Sequence, residues 1–274
     1  MVAFVPTCLI LSASLPFLVT TAQDVGDFAH KGPFYTMTYK VNEDKQVTFD
    51  LDVPQVRVTR NVLKLGPYPL RYAPIRRHSN TYRIDFDKSN ITALDWCKRW
   101  ETFFKNNGII GVDEPYSPAA GDIQLCYLTV LMILPSYHGI PTDFQNRLHE
   151  FKRKGYAAVS GMFVYEKPEQ TTLSFKVTFT VKSEDDVLIQ IEFRGEVLYS
   201  RYKLSLHSSP LVDRDYAVTP FGSGLDTVQE FGTKVLRKWT LARWRPVDLE
   251  LLLFATTKTI YTQFRGRQIA LTRV

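Results

Sequence analysis

The sequence predicts an α+β protein, an antiparallel sheet packed against two or three helices. Three observations predict it. Leu173, Phe175, Val177, Phe179 and Val181 alternate with polar residues. After the acidic turn Ser183-Glu184-Asp185-Asp186, Val187, Ile189, Ile191 and Phe193 return in the same rhythm, as a hairpin on a one-sided sheet does. Two stretches, near 90–106 and 225–245, carry apolar residues at helical spacing, and a third, 123–134, is apolar on nearly all sides.

The elements follow in order. Residues 2–19 are apolar and end in the small residues Thr20-Thr21-Ala22, which fits a secretory signal cut after Ala22. Against that reading, no Lys or Arg precedes Lys31. Residues 1–30 are thus an apolar N-terminal segment, and 31–274 one α+β domain with its core at about 81–245. No later apolar run is long enough for a membrane span, about 18 residues. Val47, Phe49, Leu51 and Val53 alternate as a strand that Pro54 ends, and Val56 and Val58 keep its rhythm. Residues 65–74 hold three prolines and read as a loop. Tyr82, Ile84 and Phe86 make a short strand.

Asn90 is the expected N-cap of a first helix through Leu94, Cys97, Trp100 and Phe104, with Trp96 and Phe103 widening its apolar face. Asn106-Asn107-Gly108 stops it. A loop to Gly121 leads to the buried second helix, closed by Pro135. Residues 155–165 and 197–206 extend the sheet on either side of the hairpin. A third helix starts near Leu225, with Gly222-Ser223-Gly224 capping it and Pro246 ending it. The tail is a hairpin turning at Arg265-Gly266-Arg267. No internal repeat and no dividing linker are visible.

The chemistry expected of an enzyme is missing. There is no phosphate-cradling glycine loop, no His-Glu-x-x-His, no paired Cys-x-x-Cys and no nucleophile elbow. The 5 histidines lack ligand spacing, and Cys126 with His138 reads as two packed residues because nothing marks an orienting third group. The expectation is a non-enzyme with no cofactor, no metal and no small-molecule substrate. Cys97 and Cys126 form one bridge or two free thiols; the spacing leaves both open.

The features above background are basic and aromatic. The net charge is +6 and the pI about 9.1. Arg71, Arg76, Arg77 and Arg83 follow the proline loop, and Lys234, Arg237, Lys238, Arg243 and Arg245 lie beside Trp239 and Trp244. Such clusters suit an anionic membrane or nucleic-acid phosphates; a solvated basic edge is the structural alternative.

The order of elements over residues 81–244 resembles the core of rhabdovirus matrix proteins. A short strand comes first, then a Trp-bearing helix, a buried helix, a strand, the hairpin with its acidic turn, and a basic amphipathic helix. The closest local likeness is residues 173–193, with Ser160-Gly161-Met162-Phe163-Val164-Tyr165 before it and 225–239 after it. The resemblance implies a viral matrix protein that condenses the ribonucleoprotein, self-associates and binds the inner face of a membrane at budding. Its partners would be viral nucleocapsid or RNA and anionic membrane. Its location would be the virion and the inner face of host membranes, with a nuclear site open.

On that reading Arg71, Arg76, Arg77, Lys234, Arg237, Lys238, Arg243 and Arg245 touch membrane or phosphate. Tyr68-Pro69-Leu70 stands loosely for a budding motif, since no Pro-Pro-x-Tyr is present. The N-terminal segment must then stay on the chain and Asn90 carry no glycan. The alternative is a secreted β-rich binding protein, cut after Ala22 and glycosylated at the sequon Asn90-Ile91-Thr92.

Overall fold

The structure is a computed structural model that describes residues 25–54, 61–72, 81–108, 132–133, 139–144, 147–166, 175–209, 212–239 and 244–274. Among these are sixteen β-strands and two α-helices. The first half holds β1 Gly26–Lys31, β2 Thr36–Val41, β3 Gln46–Val53, β4 Asn61–Tyr72, β5 Thr81–Ile84, α1 Ala93–Asn106, β6 Met132–Ile133, β7 Gly139–Phe144 and β8 Arg147–Arg153. The second holds β9 Gly161–Glu166, β10 Phe175–Ser183, β11 Asp186–Phe193, β12 Glu196–Ser209, β13 Val212–Pro220, α2 Val228–Trp239, β14 Leu251–Phe254, β15 Thr259–Phe264 and β16 Arg267–Arg273.

The expected α+β sheet is corrected to a mostly β fold. Strands β9 to β16 pair in sequence order, every pair antiparallel, and β16 returns to β9 through Thr272↔Val164 and Arg273↔Phe163. The result is a closed eight-stranded barrel. Alternation along a strand describes the wall of a barrel as well as a one-sided sheet, so the hairpin pattern alone could not separate the two. The β10–β11 hairpin has the expected register, with Val177↔Ile191 and Phe179↔Ile189, and all four side chains are buried. Thr178, expected in solvent, is also buried.

The first half repeats the order of elements, but among the described residues no pairing of β6 with β7 closes it. Its strands run β8-β1-β2-β3-β4-β5-β6, with β7 paired to β8, and its helix again lies between the fifth and sixth strands. One sequence offset relates Gly26 to Gly161, Phe28 to Phe163, the helix cap Thr92 to Thr227, and buried Ala93, Trp96 and Trp100 to Val228, Phe231 and Val235. The last hairpins match as well: β7–β8 and β15–β16 share one register, and β8 and β16 both begin and end in Arg. The chain is a tandem repeat in architecture, where the sequence showed none.

Other expectations shift. Residues 65–72 of the expected proline loop are instead part of the twelve-residue strand β4, whose pairing with β3 slips in register between Val47 and Phe49; Ala73 and Pro74 lie outside the described residues. That irregularity admits Gly66-Pro67, since proline is tolerated at a bulge. Met132 and Ile133, at the end of the expected second helix, form strand β6; the rest of that helix, Val56, Val58 and residues 1–24 lie outside the described residues. The cap of α1 is Thr92, not Asn90: its hydroxyl accepts from Asp95 N–H at 3.1 Å. Thr227 caps α2 in the same way, with Glu230 reaching back to the Thr227 N–H at 2.7 Å.

Each half has its own core, and a third cluster, Val212, Leu253, Ala255 and Tyr261, lies on the outer face of the second barrel. Buried residues reach beyond 81–245, from Val25 to Leu271. At the seam, Arg153 is fully buried with its guanidinium 4.4 Å over Phe28 and 4.5 Å over Tyr261, and its Nη1 donates to Val25 O at 2.5 Å. The Tyr261 hydroxyl accepts from Val25 N–H and donates to Val25 O, both at 3.1 Å. Gly155, just after β8, has no room for a side chain: a Cβ there would lie 1.6 Å from Arg214 O.

Candidate functional site: the core of the first half

Helix α1 turns one apolar stripe, Trp96, Trp100 and Phe104, into the core of the first half. The spacing of these residues puts them on one face. Trp100 meets Phe49 edge-on at 4.2 Å and stacks on Phe104 at 5.5 Å. Phe49 also packs edge-on against Tyr39 at 4.3 Å, and Tyr39 against Phe151 at 4.8 Å. Beneath Trp96 is a cavity of about 10 Å³ lined by Tyr39, Val47, Phe49, Tyr68, Leu70 and Ile84 as well as Trp96. A space of that size holds one water at most. Burial pushes the Tyr39 phenol well above its ordinary range, and the Tyr68 phenol up to a lesser degree, against the pull of Arg99. Both phenols are therefore neutral at physiological pH.

Trp96 brings a polar atom into this packing. Trp96 is 3% exposed, and its indole N–H has no hydrogen-bond partner among the described residues. Buried donors are nearly always paired, so an orphan calls for an explanation. The matching position on α2 is Phe231, which packs against Tyr202 at 6.4 Å; in that second core the Trp244 indole N–H and the Tyr202 hydroxyl are likewise buried without a hydrogen-bond partner among the described residues.

The expected basic surface is less free than its sequence suggests. Arg71 pairs with Asp87 at 2.9 Å and lies 3.8 Å from Asp85. Lys234 bonds Asp226 at 2.5 Å, and Lys238 lies 3.4 Å from Glu196. Glu196 also accepts from Trp239 Nε1 at 2.9 Å; that bond first, and Lys238 second, hold its carboxyl below the ordinary glutamate range. Arg237 is exposed on α2. Arg245 lies against Gly266, at the β15–β16 turn rather than on the helix. Arg76, Arg77 and Arg243 lie outside the described residues. Tyr68, Pro69 and Leu70 sit within strand β4, with Tyr68 buried, so they do not form the exposed loop a budding motif would need.

Two more sequence features have definite places. Asn90 is exposed, in a bend ahead of α1. Cys97, on α1 next to Trp96, is in a disulfide whose other half lies outside the described residues. Among the described residues no group of three His, Cys, Asp or Glu could hold a metal ion, and no helix is long and apolar enough to cross a membrane.

No family model matches the chain. No curated protein and no solved structure match it either.

Sequence reasoning missed the two residues that organise the halves. It set Trp96 on the broad side of a helix and did not single out Arg153. The signal was there in duplicate: Gly-x-Phe at Gly26-Asp27-Phe28 and Gly161-Met162-Phe163, and a seven-residue strand with Arg at each end near the close of each half.

Proposed function

We propose that this chain is a secreted, N-glycosylated binding protein built from two tandem β units, the second a closed eight-stranded barrel. The observation that carries the reading is the Cys97 disulfide. Structural disulfides persist in oxidising compartments and are rare in the cytosol, where a matrix protein is made. The exposed Asn90 sequon agrees, because Thr92 has taken the capping role that would otherwise account for Asn90. The first strand begins at Gly26, so a cut after Ala22 leaves every described residue on the mature chain. It also removes Cys8, which makes Cys126 the intrachain partner of Cys97.

The matrix resemblance rested on the element order of an open sheet with helices against it. Barrel closure takes that support away, and the ion pairs of Lys234 and Lys238 weaken the membrane face it needed. Eight-stranded up-and-down barrels are an architecture that carriers of small molecules use, with an interior wide enough for side chains or one small ligand.

Expression in eukaryotic cells tests the reading. The medium should contain a protein that starts at Gln23, loses mass with glycosidase, and yields a Cys97–Cys126 peptide before reduction. A cell-retained protein that starts at Met1 or Val2 and carries no glycan would return the matrix reading to first place.

A further inference from the structure

We propose that one mouth of the second barrel, ringed by Arg194, Arg245, Arg265 and Arg267, is a docking site for a sulfated glycan chain. The inference rests on the binding-protein reading and names the class of partner. Two hairpin turns at this mouth carry the same three residues: Phe193-Arg194-Gly195 between β11 and β12, and Phe264-Arg265-Gly266 between β15 and β16. Both arginines have positive φ, 53° and 55°. Asn, Asp or Gly is the usual residue at such a turn position, and a longer side chain is strained there. An Arg in both turns calls for a reason in its side chain.

Both side chains go to one aromatic cluster. Phe193 stacks on Phe175 at 4.5 Å, and Phe264 meets Phe175 edge-on at 6.0 Å. The Arg194 guanidinium lies 5.1 Å over the Phe193 ring, and that of Arg265 lies 5.2 Å over the Phe175 ring. Arg245 lies across the second turn, since a Cβ on Gly266 would collide with its Nε. Buried Asp248 fixes that arrangement: its carboxylate accepts from the N–H groups of Arg245 and Arg265 at 2.8 Å and of Gly266 at 2.9 Å. Arg267 faces the same mouth. Burial raises the Tyr165 phenol, and Arg267 and Arg265 pull against that rise.

All four arginines are exposed, and among the described residues none is in an ion pair. Arg71 and Arg201, by contrast, pair with Asp87 and Asp186 at 2.9 Å. Glu196, at the first turn, is already engaged by Trp239 and Lys238. Four unpaired positive charges on a fixed frame raise the local potential and favour a polyanion. The rings cover the faces of Arg194 and Arg265 and leave the N–H edges for oxyanions, which a guanidinium fork takes two at a time. A sulfate ester stays ionised at every physiological pH and offers three such oxygens. Phe175, Phe193 and Phe264 are themselves buried. A nucleic-acid base therefore finds no bare ring among them to stack on, and a bilayer no apolar wedge.

The test uses the full-length secreted protein and a labelled, fully sulfated heparin octasaccharide, followed by fluorescence anisotropy. Binding should saturate in ~0.15 M salt and weaken as salt rises. Arg194→Asn with Arg265→Asn should bind about tenfold more weakly, equal to about 1.4 kcal/mol, yet melt at or above the wild type, because Asn is at ease at positive φ. Arg267→Gln should weaken binding severalfold without moving the melt. Arg83→Gln with Arg99→Gln removes as much charge from exposed positions of the first half and should bind as the wild type does.

Absence of saturable binding, a lower melting temperature with unchanged binding in the Asn pair, or an equal loss in the control pair would each overturn the site. Tighter binding of hyaluronan octasaccharide, oligothymidylate or phosphatidylserine vesicles would overturn the sulfated glycan as partner. A secreted, glycosylated chain that fails here loses the glycan site alone. A chain that binds the octasaccharide but keeps Met1 loses the secretion reading alone.

Discussion

Replacing Arg153 tests the seam between the two halves. Its guanidinium is fully buried between the rings of Phe28 and Tyr261 and donates to Val25 O. Arg153→Met keeps the length of the side chain and removes the charge. A hydrogen bond from a charged donor is worth about 1.5–3 kcal/mol, and each desolvated cation–π contact about 2 kcal/mol, a gross loss of roughly 5–7 kcal/mol. Two effects reduce it. Val25 O keeps the Tyr261 hydroxyl as a donor, so that carbonyl is not orphaned. The buried charge also gives back part of its desolvation cost, several kcal/mol for an ion.

The net expectation is a loss of about 2–4 kcal/mol, large against a typical domain stability of about 5–15 kcal/mol. Arg153→Lys should lose a similar amount, because an ammonium cannot stack flat between two rings. Arg153→Ala should lose a further 2–5 kcal/mol, roughly, through the cavity it leaves. Urea melts followed by Trp emission measure all three. If Arg153→Met melts within about 0.5 kcal/mol of wild type or above it, then desolvation outweighs the contacts and the seam does not depend on this residue.

Other outcomes are equally definite. Phe179→Ala should cost about 3–5 kcal/mol by opening a cavity, because Phe179 is fully buried in the second core; Lys176→Ala should cost less than about 0.5 kcal/mol, and equal losses in urea would show the β10 register to be wrong. Glu196, its carboxyl held low mainly by the Trp239 bond, contributes stability that is present above its unfolded pKa of about 4.3 and is lost as pH falls through its lower folded value. Glu196→Gln should flatten the stability curve over that acid window, and a curve identical to wild type would show the bond to be inconsequential. Pelleting with anionic vesicles in ~0.15 M salt should be weak, since Lys234 and Lys238 are already paired; strong pelleting that Lys234→Glu, Arg237→Glu and Lys238→Glu together abolish would show α2 to be a membrane face.

Local pattern was legible and closure was not. The alternation of Val47, Phe49, Leu51 and Val53 became β3 with those four side chains buried. The stripes that predicted two helices became α1 and α2. What makes the barrel is the meeting of β16 with β9, about a hundred residues apart, and no local periodicity encodes a pairing of that range. The repeat was hidden because the offset between the halves changes with loop length, and because its matched positions keep side-chain class more than identity: Trp96 against Phe231, Trp100 against Val235. Asn90 and Thr92 were both good capping residues two positions apart, and only the helix start decides between them. Trp96 looked like any core aromatic, because an unpaired N–H is a property of its surroundings.

The short connection between the two halves would by length alone let them swing. It does not, because Lys154 N–H donates to Asp27 O, Tyr156 N–H to Phe254 O, and the Tyr156 hydroxyl to the Asp27 carboxylate, while Gly155 lies flush against the Arg214 backbone. The connection is thus tied to both halves at once, and the chain should tumble in solution as one body rather than as two beads on a tether. A receptor that grips either half thereby sets the orientation of the other.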